Sequence, residues 1–320
     1  MISRVAESCF WMSRYMERLE ALARFLDVNQ GFVLDVSLPP RARWRPLVIV
    51  VGEQKTFNRL QGAGAAANAE KVQSFLTWER ANTSSLASSL YWARENARTI
   101  RETISLEMWR VLNELWLWFA SRPARQLYQR DRPAFYQHIS EQCLLFQGVA
   151  RNTMLHEEPL DFMELGSVLE RGGQTARILD VKYHGLGPLR AGTETPIETA
   201  QWLAILRSCL GVEPFVKRAG EDLSGLAVAG FLLLDRAFPH AVLHNLERAR
   251  ECLGDIRRVA PAGVGVRSAE VLDSLHHDIA SLNEEALLAK GLHEVLTEVV
   301  ERTALVCDAL RSDFFAPAAA

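Results

Sequence analysis

Paired glutamate and arginine residues occur twice in the chain and are the side chains best suited to chemistry. Two segments 153 residues apart share the pattern E-R-x4-A-R-x-L-D-V, with identities at Glu17, Arg18, Ala23, Arg24, Leu26, Asp27 and Val28 and at Glu170, Arg171, Ala176, Arg177, Leu179, Asp180 and Val181. Perturbed charges of this kind often mark catalytic or binding sites. Arginine forks on carboxylates also join buried helices without doing chemistry, and this structural role is the preferred interpretation.

The first Glu-Arg segment carries apolar residues nearly all round its helical projection, which predicts a helix buried in a bundle. Glu17 and Arg24, seven residues apart, lie nearly on one line of that helix, whereas Arg18 points to another side. Buried charges need partners. A second repeat, at an offset of 156, supplies companion arginines as candidates: Arg80, Arg94 and Arg101, matched by Arg236, Arg250 and Arg257. Gly172 and Gly173 in the second copy predict a close approach by another helix.

Two further groups of polar residues could hold a ligand. Lys182, Tyr183 and His184 end the second Glu-Arg helix just before a glycine-rich loop. Tyr183 and His184 could act in acid–base catalysis, although cations in a last turn also simply favour the helix dipole, which is the preferred interpretation. His240 and His244 have the spacing of two metal ligands on a helix, but no glutamate follows His240 as in H-E-x-x-H. No metal site is predicted.

Composition excludes several classes of protein. The 320 residues are 48% hydrophobic and 23% charged, which is typical of a folded globular protein, and the net charge is −3. This charge gives no strong field for nucleic acid or for an anionic membrane, and no apolar run is long enough to span a bilayer. No nucleotide-binding glycine loop occurs, so no cofactor is predicted. The five cysteines are odd in number and widely spaced, which does not suggest a disulfide framework and indicates a reducing compartment. The expected location is therefore the cytoplasm.

Helical periodicity dominates both halves and predicts an all-α protein, a tandemly duplicated helical bundle with repeats at residues 1–155 and 156–320. The first Glu-Arg helix is predicted over residues 2–28, and one long helical stretch is predicted over residues 269–310. Pro39, Pro40 and Pro46 predict a loop, and residues 47–51, which are β-branched enough for a short strand but isolated, are predicted to be a connection. Breaks are expected at Pro123 and Pro133, and the small residues from Pro317 onward predict a frayed end.

The combined motifs resemble the bacterial alpha-E family, which is named for an all-helical domain with a Glu-Arg motif. Besides the repeated pattern, the resemblance rests on the run from Arg94 to Glu102, on Ser105, Glu107, Trp109 and Asn113, and on the run from Leu179 to His184. It extends over nearly the whole chain. It adds Arg94, Asn96 and Arg98 to the candidate functional residues.

The resemblance also implies partners. Members of the family tend to be encoded beside, or fused to, circularly permuted ATP-grasp ligases and transglutaminase-like proteases. The expected function is therefore a non-catalytic binding or scaffold partner of an ATP-grasp type peptide ligase, in peptide synthesis or modification. The alternative is a peptide- or amide-modifying enzyme. It would use Glu17, Arg18, Glu170 and Arg171, with Tyr183 or His184, in a charged cleft between the repeats.

Overall fold

The computed structural model describes residues 3–62, 64–189, 194–220 and 223–316, and over these ranges the chain is helical without any strand. The described residues before position 155 form eight α-helices: α1 (Ser3–Asp35), α2 (Pro40–Val50), α3 (Gln54–Gln61), α4 (Ala69–Trp78), α5 (Leu86–Thr99), α6 (Leu106–Phe119), α7 (Arg122–Arg130) and α8 (Arg132–Thr153). Short 3-10 and π-helical turns occupy Ala65–Ala67 and Arg311–Phe315. The predicted all-α class is confirmed; the predicted frayed end from Pro317 lies outside the described residues.

Eight further helices follow in the described part of the second half, and their order and lengths parallel those of the first. They are α9 (Glu158–Leu186), α10 (Pro196–Ser208), α11 (Val212–Ala219), α12 (Gly225–Leu234), α13 (Val242–Val259), α14 (Val266–Ala280), α15 (Glu284–Lys290) and α16 (Leu292–Leu310). The two longest, α1 and α9, each open their half. Each remaining helix has a counterpart of similar length in the other half.

The two longest helices, α1 and α9, pack along each other at the centre of the molecule. Helices α5 and α8 cover α1, while α13 and α16 cover α9. Apolar side chains on opposite sides of α1, such as Met12 and Phe25, are buried. A helix that is apolar nearly all round can satisfy its surface only at the centre of a bundle. The predicted burial of the first Glu-Arg helix is therefore confirmed.

A glycine permits the close crossing of α1 and α9, but it is not one of the two predicted. A Cβ atom added to Gly166 would lie 2.3 Å from the carbonyl oxygen of Phe10. At Gly173 the same atom would meet nothing within 4 Å, and at Gly172 it would touch only the side chain of Asn245, at 3.4 Å. The expectation for Gly172 and Gly173 was wrong because the backbones approach one turn or more earlier along α9.

The loop and the connection predicted after Pro39 are wrong, because residues 40–50 form helix α2. Pro40 stands in its first turn, where a backbone N–H has no helical acceptor to lose. Pro46 lies inside the helix and removes one backbone hydrogen bond. The burial of Trp44, Leu47 and Val48 in the core offsets that loss. Tertiary packing outweighs the local preference here.

The predicted long stretch over residues 269–310 is divided into three helices. Asn283 caps the start of α15, where its side chain accepts a hydrogen bond from the backbone N–H of Ala286. Gly291, with a φ of 90°, ends α15 and allows α16 to begin in a new direction. The predicted breaks at Pro123 and Pro133 are confirmed, because each proline lies in the first turn of a helix, α7 or α8. No helix among the described residues is long and apolar enough to cross a membrane.

Candidate functional site

The Glu-Arg pairs of the two central helices bind each other. Glu17 of α1 accepts two hydrogen bonds from Arg171 of α9: Nε donates to Oε1 and Nη2 donates to Oε2, both at 2.7 Å. The amide of Gln147 on α8 donates a third, to Oε2, at 2.9 Å. Glu17 is 1% exposed. The bidentate geometry is the strongest pairing that an arginine can make with a carboxylate.

Glu170 of α9 lies in the reciprocal arrangement with Arg18 of α1. Arg18 donates from Nε to Oε1 at 2.7 Å and from Nη2 to Oε2 at 3.0 Å. A second arginine, Arg14, donates from Nε and Nη2 to Oε2 at 2.9 and 2.7 Å, and Gln174 donates to Oε1 at 2.8 Å. Glu170 is 4% exposed. Each glutamate of the repeated motif therefore binds the arginine of the other copy, and we call this set the Glu-Arg clasp.

The companion arginines do not serve as partners of the clasp, so that expectation was wrong. Arg236 and Arg250 form ion pairs with Glu247 and Asp273. Arg94 donates to Asn113, and Arg80 lies over the ring of Tyr91. These contacts hold the outer helices in place, whereas α1 and α9 supply each other's counter-charges.

The second arginine of each motif also reaches across to the other half. Arg24 donates from Nε to the carbonyl oxygen of Ser208, the last residue of α10, at 2.7 Å. Arg177 donates to the carbonyl oxygen of Val50, the last residue of α2, at 3.4 Å. The final carbonyls of a helix lack intrahelical donors and carry partial negative charge. Arg24 and Arg177 therefore each bind the carboxyl end of a helix from the opposite half.

One carboxylate distinguishes the two copies. Arg24 forms an ion pair with Glu20, which also accepts a hydrogen bond from Ser140 at 2.7 Å. At the offset of 153, the residue that matches Glu20 is Gly173. Arg177 thus has no carboxylate at the position that pairs with Arg24. Burial lowers the pKa of Arg177; the nearby cations Arg14 and Arg18 lower it further, whereas Glu170 raises it. Burial raises the pKa of Glu20 despite the attraction of Arg24.

The bonding of the clasp leaves its carboxylates little capacity for acid–base work. Burial alone would raise the pKa of Glu170, but Arg18 and Arg14 outweigh it and hold that pKa well below its ordinary value. Burial would lower the pKa of Arg171, but Glu17 raises it. All four carboxylate oxygens of Glu17 and Glu170 accept hydrogen bonds from the protein. The clasp is built to hold charge, not to move protons.

A cleft of about 540 Å³ opens beside the clasp, between the two halves. Its walls come from α1, α8, α9 and the start of α13, and its polar lining is Ser13, Gln147, Arg151, Glu164, Ser167, Arg171, His240, His244 and Arg248. At its rim, Arg151 and Arg248 face the same carboxylate, that of Glu164, at 3.7 and 3.3 Å. The cleft therefore offers both cationic and anionic groups.

His240 and His244 line this cleft, but not as a helical metal pair. Helix α13 begins at Val242, so His240 precedes it in a turn. Nδ1 of His244 donates a hydrogen bond to the carbonyl oxygen of Arg236, at 2.7 Å. Burial lowers the pKa of His240 well below its ordinary value, helped by Arg24 and Arg171. The helical spacing on which the two-ligand hypothesis depended does not exist.

A second polar cluster lies at the carboxyl end of α9. The carboxylate of Asp180 contacts two imidazoles: Oδ2 lies 3.1 Å from Nε2 of His184, and Oδ1 lies 2.7 Å from Nδ1 of His293 on α16. The ring of Tyr183 stacks on His293, with centroids 4.0 Å apart. Lys182 turns inward and donates to Gly187 and Glu198. These side chains could hold a metal or a polar ligand.

The two clusters are distinct sites. Glu170 and Tyr183 are thirteen positions apart on α9, or about 20 Å along a helix that rises 1.5 Å per residue. A catalytic centre that combines the clasp with Tyr183 or His184 would therefore have to span the length of the helix. This distance weighs against the enzyme alternative in the form predicted.

The remaining predicted residues lie elsewhere. Arg94, Asn96 and Arg98 bond within α5 and its neighbour α6, through Asn113, Trp92 and Glu95 respectively. Asp27 lies near Asp131, the N-cap residue of α8. Burial is the larger cause that raises the pKa of Asp27, and the negative charge of Asp131 is the smaller one. Asp27 and Asp180 therefore occupy matching positions with different surroundings.

Sequence reasoning missed several residues that complete the sites, among them Arg14, Gln147 and His293. Arg14 lies one helical turn before Arg18 on the same face, so its spacing was a usable signal. Gln147 and His293 come from helices far along the chain, α8 and α16. Nothing in the local sequence of those helices indicates that they meet Glu17 and Asp180.

Comparisons with known proteins agree with the motif. The sequence model of a family called Alpha-E, described as a predicted alpha-helical domain with a conserved ER motif, matches residues 1–315. Uncharacterized proteins of Mycobacterium bovis and Mycobacterium tuberculosis are 26% identical over 316 residues, covering 93% of this chain and 35% of each relative. The chain thus spans about a third of the length of these curated relatives. No solved structure matches it significantly.

Proposed function

Because this chain belongs to the Alpha-E family, we propose that it is a non-catalytic binding or scaffold partner of an ATP-grasp type peptide ligase. The observation that carries the proposal is the closed bonding of the clasp. The glutamates and arginines of the motif for which the family is named pair with each other, between α1 and α9. These ion pairs join the two helices into a rigid support. A support of this kind serves its function through the surfaces that it positions.

Two further points support a binding role. The mycobacterial relatives are about three times as long as the matching region, so in them the matching segment is joined to further sequence. In addition, the cleft beside the clasp carries both signs of charge, from Arg151, Arg248 and Glu164. A peptide segment offers complementary carboxylates, amides and carbonyls. The cleft is therefore the proposed contact surface for the ligase or its peptide, and a transglutaminase-like protease is a further proposed partner.

The proposal is tested with the purified chain and ATP-grasp ligases from the same genome. One ligase should co-elute with the chain and form product faster in its presence. Arg151→Glu combined with Arg248→Glu should weaken the complex at least tenfold, because both substitutions reverse charge at the rim of the cleft. Arg110→Glu combined with Arg130→Glu, on exposed positions of α6 and α7, makes the same change of charge and should have no effect. No complex, together with unchanged ligase activity, would refute the proposal.

The tandem duplication and the cytoplasmic location are part of the same proposal. Eight helices in matching order among the described residues of each half, with α1 and α9 clasped reciprocally, support a duplicated unit divided at residues 155 and 156. The five cysteines, all unpaired and buried, support a reducing compartment. A protease site inserted after Leu155, which is 72% exposed, tests the division. The two pieces should stay together after cleavage, and their separation in native buffer would contradict it.

A further inference from the structure

Three side chains at the carboxyl end of α9 offer nitrogen and oxygen ligands to one point. One atom each of Asp180, His184 and His293 lies within 4.8 Å of the other two. Asp180 and His184 are four residues apart and share a face of α9, while His293 comes from the first turn of α16. Imidazole nitrogen and carboxylate oxygen are ligands that zinc prefers. Asp180 already lies in hydrogen-bond contact with both imidazoles, at 3.1 and 2.7 Å.

We propose that Asp180, His184 and His293 bind a divalent transition-metal ion of the zinc type. Ligand bonds of about 2.0–2.2 Å in a tetrahedron place ligand atoms roughly 3.3 Å apart. The contacts of Asp180 with His184 and His293, at 3.1 and 2.7 Å, are already close to that value, and the ligand atoms of the three residues lie within 4.8 Å of one another. Carboxylate accepts hydrogen bonds only, so Nε2 of His184 and Nδ1 of His293 carry protons here. On metal binding each proton moves to the other ring nitrogen or leaves to solvent, and the freed lone pair binds the ion.

A cavity adjoins two of the three proposed ligands. It has a volume of about 80 Å³, is lined by Asp180, Tyr183 and His293 but not by His184, and is large enough for water. Three protein ligands with one open position is the composition of zinc sites that bind a substrate or activate water. The half-buried imidazoles leave a route for the ion from solvent. The stacked ring of Tyr183 holds His293 in the orientation that the site needs.

The fold does not require this cluster. In the first half the matching helices, α1 and α8, also pack against each other. The residues there that match Tyr183 and His184, at the offset of 153, are Gln30 and Gly31, and Pro133 stands at the helix position of His293. Hydrogen bonds from two histidines to an aspartate are therefore not a general means of joining this pair of helices. Their presence in one half alone favours a ligand.

Metal binding is tested on the full chain after treatment with a chelator and removal of that chelator. Isothermal titration with Zn²⁺ should give one ion per chain. Co²⁺ should produce the intense visible bands of a four-coordinate ion. His184→Asn, His293→Asn and Asp180→Asn should each weaken Zn²⁺ binding at least tenfold. His277→Asn, a change at an exposed histidine of α14, is the matched control and should bind as the wild type does.

Two results would overturn the proposal: no stoichiometric binding of Zn²⁺ by the wild type, or equal affinity in the variants and the wild type. Circular dichroism identifies any variant that fails to fold. In that case the Co²⁺ spectrum of the wild type decides, because the pale spectrum of the hydrated ion would show that no protein site forms. Asp180→Asn keeps the size of the side chain and one accepting oxygen, so it also helps to separate loss of a ligand from loss of structure.

Discussion

Glu17 and Arg171 join the two central helices through two parallel hydrogen bonds of 2.7 Å each. Arg18 of α1 and Glu170 of α9 form a second pair. The clasp therefore links the two helices twice, with the glutamate on α1 in one pair and on α9 in the other. Charges removed from water in this way are costly to separate. The clasp therefore stabilises the arrangement in which these faces of α1 and α9 meet.

Removing either partner of the first pair should destabilise the protein strongly. We expect Glu17→Gln and Arg171→Met each to lower the free energy of unfolding by about 3–5 kcal/mol, because each leaves a buried group without its counter-charge. The double variant should lose less than the sum of the two single changes. Urea denaturation measures all three. Arg258→Ala, which breaks the exposed pair with Asp255 on α13, is the control and should cost less than about 1 kcal/mol. If the double variant lost the exact sum of the two single changes, the two side chains would not be coupled.

Two glycines of α9 should respond to alanine in opposite directions. Gly166→Ala places a methyl group 2.3 Å from the Phe10 carbonyl oxygen, so the central helices must separate. We expect a loss of about 1–3 kcal/mol in the free energy of unfolding. Gly173→Ala meets nothing within 4 Å and should stabilise the helix by about 0.5–1 kcal/mol. Thermal denaturation of both variants checks this, and a stable Gly166→Ala protein would mean that the helices cross differently.

Stability in acid should depend on Glu170. Its pKa in the folded protein lies well below the value of about 4.3 for an unperturbed glutamate. Its contribution is therefore complete above about pH 4.3 and is lost as the pH falls toward the folded value. We expect the stability difference between wild type and Glu170→Gln to be largest near neutral pH and to narrow below about pH 4. Glu298→Gln, which removes a half-buried carboxylate with a lowered pKa, should show a smaller change. A stability difference between wild type and Glu170→Gln that did not change with pH would contradict the lowered pKa of Glu170.

The five cysteines should be unreactive in the native protein. Burial raises the pKa of Cys9, Cys209 and Cys252 to about 12, and thiolate is the reactive form. Burial also raises the pKa of Cys307, although Arg14 lies 2.8 Å from its sulfur and opposes the shift. A thiol-specific chromogenic reagent at pH 8 should modify no cysteine rapidly until denaturant is added, when all five should react. Rapid modification of Cys307 alone would show that Arg14 outweighs burial.

Local patterns in the sequence were sufficient for the helical class and for the repeated motif. The three-and-four spacing of apolar residues encodes a helix directly, and charges at matching positions of two such helices identify Glu17, Arg18, Glu170 and Arg171 as special. Apolar residues on both sides of α1 predicted its central burial. These features depend on residues within one or two turns of each other, which a sequence displays.

Only the tertiary structure decided which groups meet. The counter-charge of Glu17 is Arg171 because α1 and α9 cross at Gly166, and no spacing along either helix encodes that crossing. His293 joins Asp180 because Gly291 redirects the chain into α16. Helix α2 forms around Pro46 because the core buries its apolar side chains. In each case the deciding free energy comes from contacts between helices that are distant in sequence, so the pairing of charges was beyond prediction from local pattern.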